Sequence, residues 1–272
     1  MKKISRRSFL AAAGLSVAAL ALTACGGSSA STASSVASSA ASSEAASTSA
    51  AAGELTTVEA GKLTMATNAA FPPYEMTTDA GDIEGIDIET AQAIADKLGL
   101  ELQIDDMDFD AALLSVQQGK ADIVMAGVTV TDERKAVMDF SDSYATGIQS
   151  IIVPEGSDIA SPDDLAGKKI GTQRGTTGYI YCSDDFGDEN VVAYDDGLTA
   201  VQALNNGQVD AVVIDNAPAK EFVAANPGLV ILDTSYAEED YAIGMAKGSS
   251  LEDAVNAALE ELKADGTLQS IV

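Results

Sequence analysis

Histidine and tryptophan are absent from this 272-residue chain, and cysteine occurs only twice. Without histidine the common general base near neutral pH and the commonest metal ligand are both missing. With so few thiols and no imidazole, neither a cysteine nucleophile nor a zinc site is expected, and no cofactor is implied. Positive charge is scarce as well: 15 Lys and Arg stand against 42 Asp and Glu, a formal charge of −27. Such a surface repels nucleic acid and anionic headgroups, so neither is expected as a partner of the folded part. Against that background a cation in a special place is unusually informative.

The N-terminus differs in character from the rest. Met1 to Cys25 joins a basic start to an apolar stretch of roughly fifteen residues, the length of a secretion signal and too short for a membrane span. The segment Leu22-Thr23-Ala24-Cys25 resembles a bacterial lipobox, which implies cleavage before Cys25 and lipid attachment to it. Ser5-Arg6-Arg7-Ser8-Phe9-Leu10 resembles the twin-arginine export signature, leaving the export route open. Losing Lys2, Lys3, Arg6 and Arg7 takes the charge from −27 to −31. The alternatives for Cys25 are an ordinary small residue or a disulfide with Cys182; with Cys25 lipidated, Cys182 is expected to serve packing. The Ser/Ala/Thr/Gly tract that follows cannot bury enough apolar surface to offset its ordering entropy, so residues 25–58 are expected to be a flexible, lipid-anchored tether behind a signal peptide of residues 1–24.

About 210 residues remain, with 46% apolar content overall, enough for one or two domains with a real core. Here short apolar runs alternate with amphipathic ones. Strands are expected at Lys62–Asn68, Leu102–Asp106, Asp122–Gly127, Lys169–Thr172, Val191–Tyr194 and Asp210–Ile214. Helices are expected at Asp87–Leu98, at Phe109–Gln118, from about Thr177, and at Leu198–Asn206. Strands separated by helices indicate parallel sheets covered by helices, and the beat occurs in two sets, hence two lobes.

An internal echo supports that division. Ser115–Gly127 and Ala203–Asp215 align Gly119 with Gly207, Asp122 with Asp210 and Gly127 with Asp215, each a helix, a glycine stop and a strand. Ligands in open α/β sheets bind beyond the carboxyl ends of strands, so both echoed strand ends are expected to face one crevice. A carboxylate ending the apolar run Ala211–Asp215 requires water or a cation. The counterpart is Arg134, three residues past an expected N-cap at Thr131, where the helix dipole disfavours a cation. A guanidinium beside the Thr129 hydroxyl and helix amides is suited to a carboxylate; the alternative is a surface ion pair with Asp132 or Glu133.

Several ordered motifs carry a resemblance. They are Thr67-Asn68-Ala69-Ala70-Phe71-Pro72-Pro73-Tyr74-Glu75, Gly85-Ile86-Asp87-Ile88-Glu89, Met107-Asp108-Phe109, and the run from Ala126 to Arg134. Asp139-Phe140-Ser141-Asp142, Gly175-Thr176-Thr177-Gly178 and Val209 to Asp215 complete the set. Together they resemble the polar amino-acid binding proteins of ABC importers, the solute-binding family 3 type, over nearly all of residues 61–272. The resemblance implies a two-lobed, type II periplasmic-binding-protein-like α/β fold, each lobe a mostly parallel sheet flanked by helices and joined by a two-strand hinge. Lobe 1 would comprise 59–147 plus 239–272, and lobe 2 would comprise 148–238.

By position, the resemblance implies that Arg134 clamps a ligand α-carboxylate with Thr129 and the amides around Thr176 and Thr177. Asp215 and the Gly127 carbonyl would take the α-ammonium, while Phe71 and Phe109 sandwich the aliphatic part. Asn68 and Gln173 would face the ligand side chain. Asn68 stands where relatives that bind Lys or Arg often carry aspartate, which argues for an uncharged polar side chain, or an acidic one if Arg174 turns inward. The implied partners are a free L-amino acid, an ABC permease with its ATPase, and the membrane through the N-terminal lipid; the protein would be a monomer on the outer face of the bacterial cell membrane. The chain departs from the family by ending at Ile271-Val272, short of the usual Lys-Trp-Phe, which leaves two alternatives, a short last helix or a truncated sequence.

Two other classes share this scaffold. A dehydratase of cyclohexadienyl or arogenate type, or a peptidoglycan lyase, would need a general acid or base, for which Glu75 and Asp215 are the candidates. An adhesin or sensor ligand-binding domain would need neither.

Overall fold

The computed structural model describes residues 55–272, so the signal peptide, Cys25 and most of the tether lie outside the described residues. In chain order, β1 (Lys62–Thr67) leads into the short strands β2 (Ala70–Phe71), β3 (Glu75–Thr77) and β4 (Ile83–Glu84). Then follow α1 (Ile86–Leu98), β5 (Glu101–Asp106), α2 (Phe109–Gln117), β6 (Ile123–Val124), the single turn α3 (Asp132–Lys135) and β7 (Met138–Phe140). The long β8 (Ala145–Pro154) precedes β9 (Ile170–Gln173), α4 (Thr177–Phe186), β10 (Val191–Tyr194), α5 (Gly197–Asn205), β11 (Ala211–Asp215) and α6 (Asn216–Ala225). The chain closes with β12 (Leu229–Ile231), β13 (Ala237–Tyr241), β14 (Gly244–Ala246), α7 (Glu252–Ala264) and α8 (Thr267–Ile271).

These strands form two main sheets, ordered β5-β1-β6-β14-β7 and β10-β9-β11-β8-β12, with β13 also on β8 and β2-β3-β4 forming a small sheet beside them. Each main sheet is mixed. Strands joined through helices are parallel, as β1 is to β5 and β6 and β9 is to β10 and β11. Strands entering from the other sheet are antiparallel: β14 against β6 and β7, and β8 against β11, β12 and β13. A helical crossover returns the chain in the same direction, whereas direct entry reverses it, which is why the expected parallel pattern holds on only one side of each sheet.

Two neighbouring segments carry the chain between the sheets. Residues 141–145 and 241–244 run side by side, with Tyr144 N donating to Tyr241 O at 3.0 Å and Ser141 N to Ile243 O at 2.9 Å. Leu63, Met65 and Ile123 are fully buried beneath the first sheet, and Ile151, Ile152 and Ile170 beneath the second. Cys182 sits in that second core among Val153, Leu165 and Ile170, as a packing residue should. Each such large aliphatic side chain stabilises the fold by roughly 2 to 5 kcal/mol relative to Ala. Near the end of the chain α8 spans five residues and buries Leu268.

The strand anticipated at Asp122–Gly127 is shorter than the apolar run: β6 stops at Val124. The backbone turns at Gly127, whose φ of 54° is left-handed. A Cβ there would lie 2.8 Å from Phe71 Cε1, so the turn and the aromatic wall both require glycine.

Candidate functional site

The strand ends of the two sheets meet across a cleft. From the first sheet's side it is lined by Asn68, Phe71, Phe109, Gly127, Thr129 and Arg134; from the second, by Gln173, Thr176, Thr177 and Asp215. The ten residues expected to touch a ligand therefore all line one cavity, together with Glu75 and Ala126.

Arg134 is fixed by local chemistry. Thr131 caps α3, its hydroxyl accepting from Arg134 N at 3.1 Å, so the side chain turns inward rather than toward Asp132 or Glu133. Only 8% of Arg134 is exposed. Nη1 donates to Thr129 O at 2.7 Å, Nη2 reaches across the cleft to Gly175 O at 3.2 Å, and the Phe109 ring centroid lies 5.4 Å from Cζ. These contacts align the guanidinium but bring it no carboxylate. Burial pulls its pKa below the ordinary value, opposed by the nearby Glu239 carboxylate. The Thr129 hydroxyl, expected beside the guanidinium, instead donates to Glu239 Oε2 at 3.1 Å and lies 3.4 Å from Thr177 Oγ1.

Asp215 closes β11 on the opposite wall and is 7% exposed. Its carboxylate accepts from the Tyr241 hydroxyl and, at 2.7 Å, from Gln149 Nε2. Both donors are neutral, so the carboxylate is held but not charge-compensated. Burial, followed by the charge of Glu239, pushes its pKa up to about 7, with the Tyr241 and Gln149 bonds working the other way.

The two residues expected to face a ligand side chain, Asn68 and Gln173, meet each other instead. They bond across the cleft, Gln173 Nε2 to Asn68 Oδ1 at 2.8 Å, while Asn68 Nδ2 holds Met107 O at 3.0 Å. Arg174 points away, its Nη2 lying 3.5 Å from Asp195 Oδ1 on the exposed surface. Arg174 therefore brings no cation into the cleft for an acidic ligand. Thr176 and Thr177 form the start of α4, where Thr176 Oγ1 accepts from Tyr179 N at 3.3 Å and the first-turn amides face the cleft end of the helix.

Sequence reasoning missed the support beneath the carboxylate. Gln149 Nε2 touches both Asp215 and, at 3.0 Å, Glu239 Oε2, and the register of β8 sets Gln149 opposite Asp215. A glutamine interrupting the apolar run Ile148–Val153 was the available signal. Tyr241 and Glu239 gave none, because they come from β13, far along the chain. Asp87 entered only as the start of an expected helix and within the Gly85–Glu89 motif; it is fully buried, its Oδ2 accepting from Gly127 N at 3.0 Å and its Oδ1 from Tyr144 Oη at 2.6 Å.

Three comparisons bear on this geometry. The family model described as bacterial extracellular solute-binding proteins, family 3, matches residues 63–272. The L-cystine-binding protein TcyJ of Escherichia coli strain K12 is 34% identical over 218 residues, covering 78% of this chain and 82% of that protein. The arginine-binding extracellular protein ArtP of Bacillus subtilis strain 168 is 34% identical over 220 residues, covering 77% and 84%. Among solved structures, an ancestral arginine-binding protein bound to arginine superposes with a TM-score of 0.74 at 43% identity, covering 78% of this chain and 96% of that one. These relatives are named as binding proteins, not enzymes.

Proposed function

Because this chain belongs to the bacterial extracellular solute-binding proteins, family 3, and is an extracytoplasmic binding protein rather than an enzyme, we propose that it captures one free amino acid with a polar side chain and hands it to an ABC importer. The observation that carries the reading is the pairing of one buried guanidinium, Arg134, with one buried carboxylate, Asp215, on opposite walls of a single cleft. A zwitterion carries two opposite charges on one carbon skeleton and satisfies both groups only when the walls are close. In this reading Arg134 and the first-turn amides of α4 hold the α-carboxylate, Asp215 and the Gly127 carbonyl hold the α-ammonium, and Phe71 and Phe109 flank the carbon chain.

Closure follows from the same chemistry. Residues 59–147 with 239–272 act as one lobe and 148–238 as the other, turning about the paired segments at 141–145 and 241–244. The ligand shifts the equilibrium toward the closed form because only there does it touch both lobes. Lipid on Cys25 and the tether of residues 25–58 would keep the monomer beside its permease; Cys25→Ala should abolish labelling by radioactive palmitate and release the chain from the membrane fraction.

A thermal-shift screen against the twenty amino acids tests the reading. A ligand at a hundred times its dissociation constant adds about 2.7 kcal/mol to stability, a shift of several degrees. No shift with any amino acid would overturn the assignment.

A further inference from the structure

Behind Arg134 and Asp215 stands a carboxylate to which the amino-acid reading gives no role. Glu239 on β13 is buried, and the register of β13 against β8 sets it opposite Gly147, two residues from Gln149. Its Oε2 accepts from Thr129 Oγ1 at 3.1 Å and from Gln149 Nε2 at 3.0 Å. Both donors are neutral, so the charge is held in place without being cancelled. The same two residues reach the two charged walls of the cleft. Thr129 O receives Arg134 Nη1 at 2.7 Å, and Gln149 Nε2 also donates to Asp215 Oδ2 at 2.7 Å. Gly178, in the first turn of α4, leaves room for this arrangement, since a Cβ there would lie 2.9 Å from Gln149 Oε1.

Glu239 is also the charge that acts most strongly on both walls. Burial lowers the Arg134 pKa, and Glu239 comes first among the groups that oppose this, ahead of Tyr181, Asp215 and Asp110 of α2. For Asp215, burial comes first and Glu239 second among the causes that raise its pKa to about 7. The other titratable groups around them are Tyr241 from β13, Tyr181 from α4, and Tyr74 and Glu75 beside the small sheet. Arg134 is the one cation among all of these. A carboxylate so placed attracts an ammonium brought to Asp215 and, before one arrives, makes it costly for Asp215 to ionise.

We propose that Glu239 is a positioning residue for amino-acid capture: through Thr129 and Gln149 it sets the walls that carry Arg134 and Asp215, and its charge draws the α-ammonium to Asp215. This rests on the amino-acid reading above and adds to it a residue outside the cleft lining, which acts through its neighbours and its field. Below pH 7 the proton held by Asp215 leaves to solvent as the ammonium arrives. Removing the Glu239 charge therefore has opposed consequences. At pH 8, where Asp215 is already ionised, the ammonium loses an attraction; at pH 6 the easier ionisation of Asp215 offsets that loss.

The test is calorimetry at pH 8 and pH 6, with the amino acid that gives the largest melting shift, on the unaltered protein, Glu239→Gln and Glu239→Asp. The unaltered protein should lose about tenfold in affinity from pH 8 to pH 6, because Asp215 takes up a proton. Glu239→Gln should bind roughly tenfold more weakly at pH 8 yet lose only about twofold on going to pH 6. Glu239→Asp keeps the charge but draws the carboxylate back from Thr129 and Gln149. It should bind at least about threefold more weakly at pH 8 and keep the pH dependence of the unaltered protein. Melting temperatures of the unliganded variants check their folds, and if Glu239→Gln does not fold, Glu239→Asp decides alone. The proposal is overturned if Glu239→Gln shows the same deficit at both pH values, as a merely structural residue would, or binds normally at pH 8. It is equally overturned if Glu239→Asp binds as tightly as the unaltered protein or loses the pH dependence. Failure of all twenty amino acids to shift the melting point would instead remove the amino-acid reading, and this proposal with it.

Discussion

In the first sheet the chain leaves α2 through Gly119, with φ of 65°, and in the second it leaves α5 through Gly207, with φ of 67°. Gly119 N bonds Val116 O and Gly207 N bonds Leu204 O, both at 3.0 Å. Three residues on, Asp122 Oδ2 accepts from Thr64 N and Asp210 Oδ2 from Lys169 N, both at 2.8 Å, and each locks a neighbouring strand start. The two joints are alike until their strand ends, where Gly127 stands opposite Asp215. One joint delivers a left-handed glycine that lets Phe71 close in; the other delivers a buried carboxylate. A repeated backbone device thus brings two loop ends to one cleft, and the chemistry is set by what is placed at the tip.

That contrast orders the mutational expectations. The largest effects belong to the charged tips. Arg134→Ala or Asp215→Ala leaves a buried partner charge unpaired at about 3 to 5 kcal/mol, so amino-acid affinity measured by calorimetry should fall by roughly two to four decades while circular dichroism is unchanged. A loss below tenfold in Arg134→Ala would remove that residue from the site.

Acidity should come next. The Asp215 pKa is about 7, above the ordinary 3.8, so the unliganded fold favours its protonated form. Its contribution to stability is present below pH 3.8 and is lost as pH rises through about 7. Ligand binding needs the ionised form and runs the other way: below pH 7 affinity should weaken by up to about tenfold per unit. Melting curves of the unliganded protein between pH 8 and 5 should show the Asp215 contribution in the unaltered chain and not in Asp215→Asn; identical pH trends in the two would contradict the assignment.

Gly127→Ala probes the other tip. A left-handed alanine costs about 1 to 2 kcal/mol before the clash with Phe71 is counted, so denaturant unfolding should reveal at least that loss, along with weaker binding. The smallest effects belong to the shared scaffold. Asp122 is buried and also accepts from Val58 N at 2.7 Å, whereas Asp210 is exposed with its one strand-start bond. Asp122→Ala should therefore cost about 1 to 3 kcal/mol of stability and Asp210→Ala less than half of that, with neither changing ligand affinity beyond roughly threefold. Equal costs would show that burial does not distinguish the two joints.

The fold was legible because its signals are local. Gly99, Gly119 and Gly207 mark where helices stop, and the alternation of apolar runs with amphipathic ones marks the layers. The mixed character of the sheets was less legible, since β8, β13 and β14 enter through long-range pairing that leaves no local pattern. At the site, Arg134, Thr129, Gly127 and Asp215 could be chosen from strand ends and helix starts, the others only from the family resemblance, and all of them line the cleft. Gln149, Tyr241, Glu239 and Asp87 could not, because their roles depend on register between distant strands. Asn68 argued against a cationic ligand by its place in the resemblance; in the structure its side chain is bonded to Met107 O and to Gln173 Nε2.

The central claim is that Arg134 and Asp215 divide one zwitterion between them. The direct test is to measure, by calorimetry, the amino acid giving the largest melting shift alongside its decarboxylated amine, on the unaltered protein and on Arg134→Ala. The account predicts that the unaltered protein prefers the amino acid by roughly a hundredfold or more and that this preference collapses in Arg134→Ala. A preference that survives the substitution intact would mean that the carboxylate is bound elsewhere and would contradict the account.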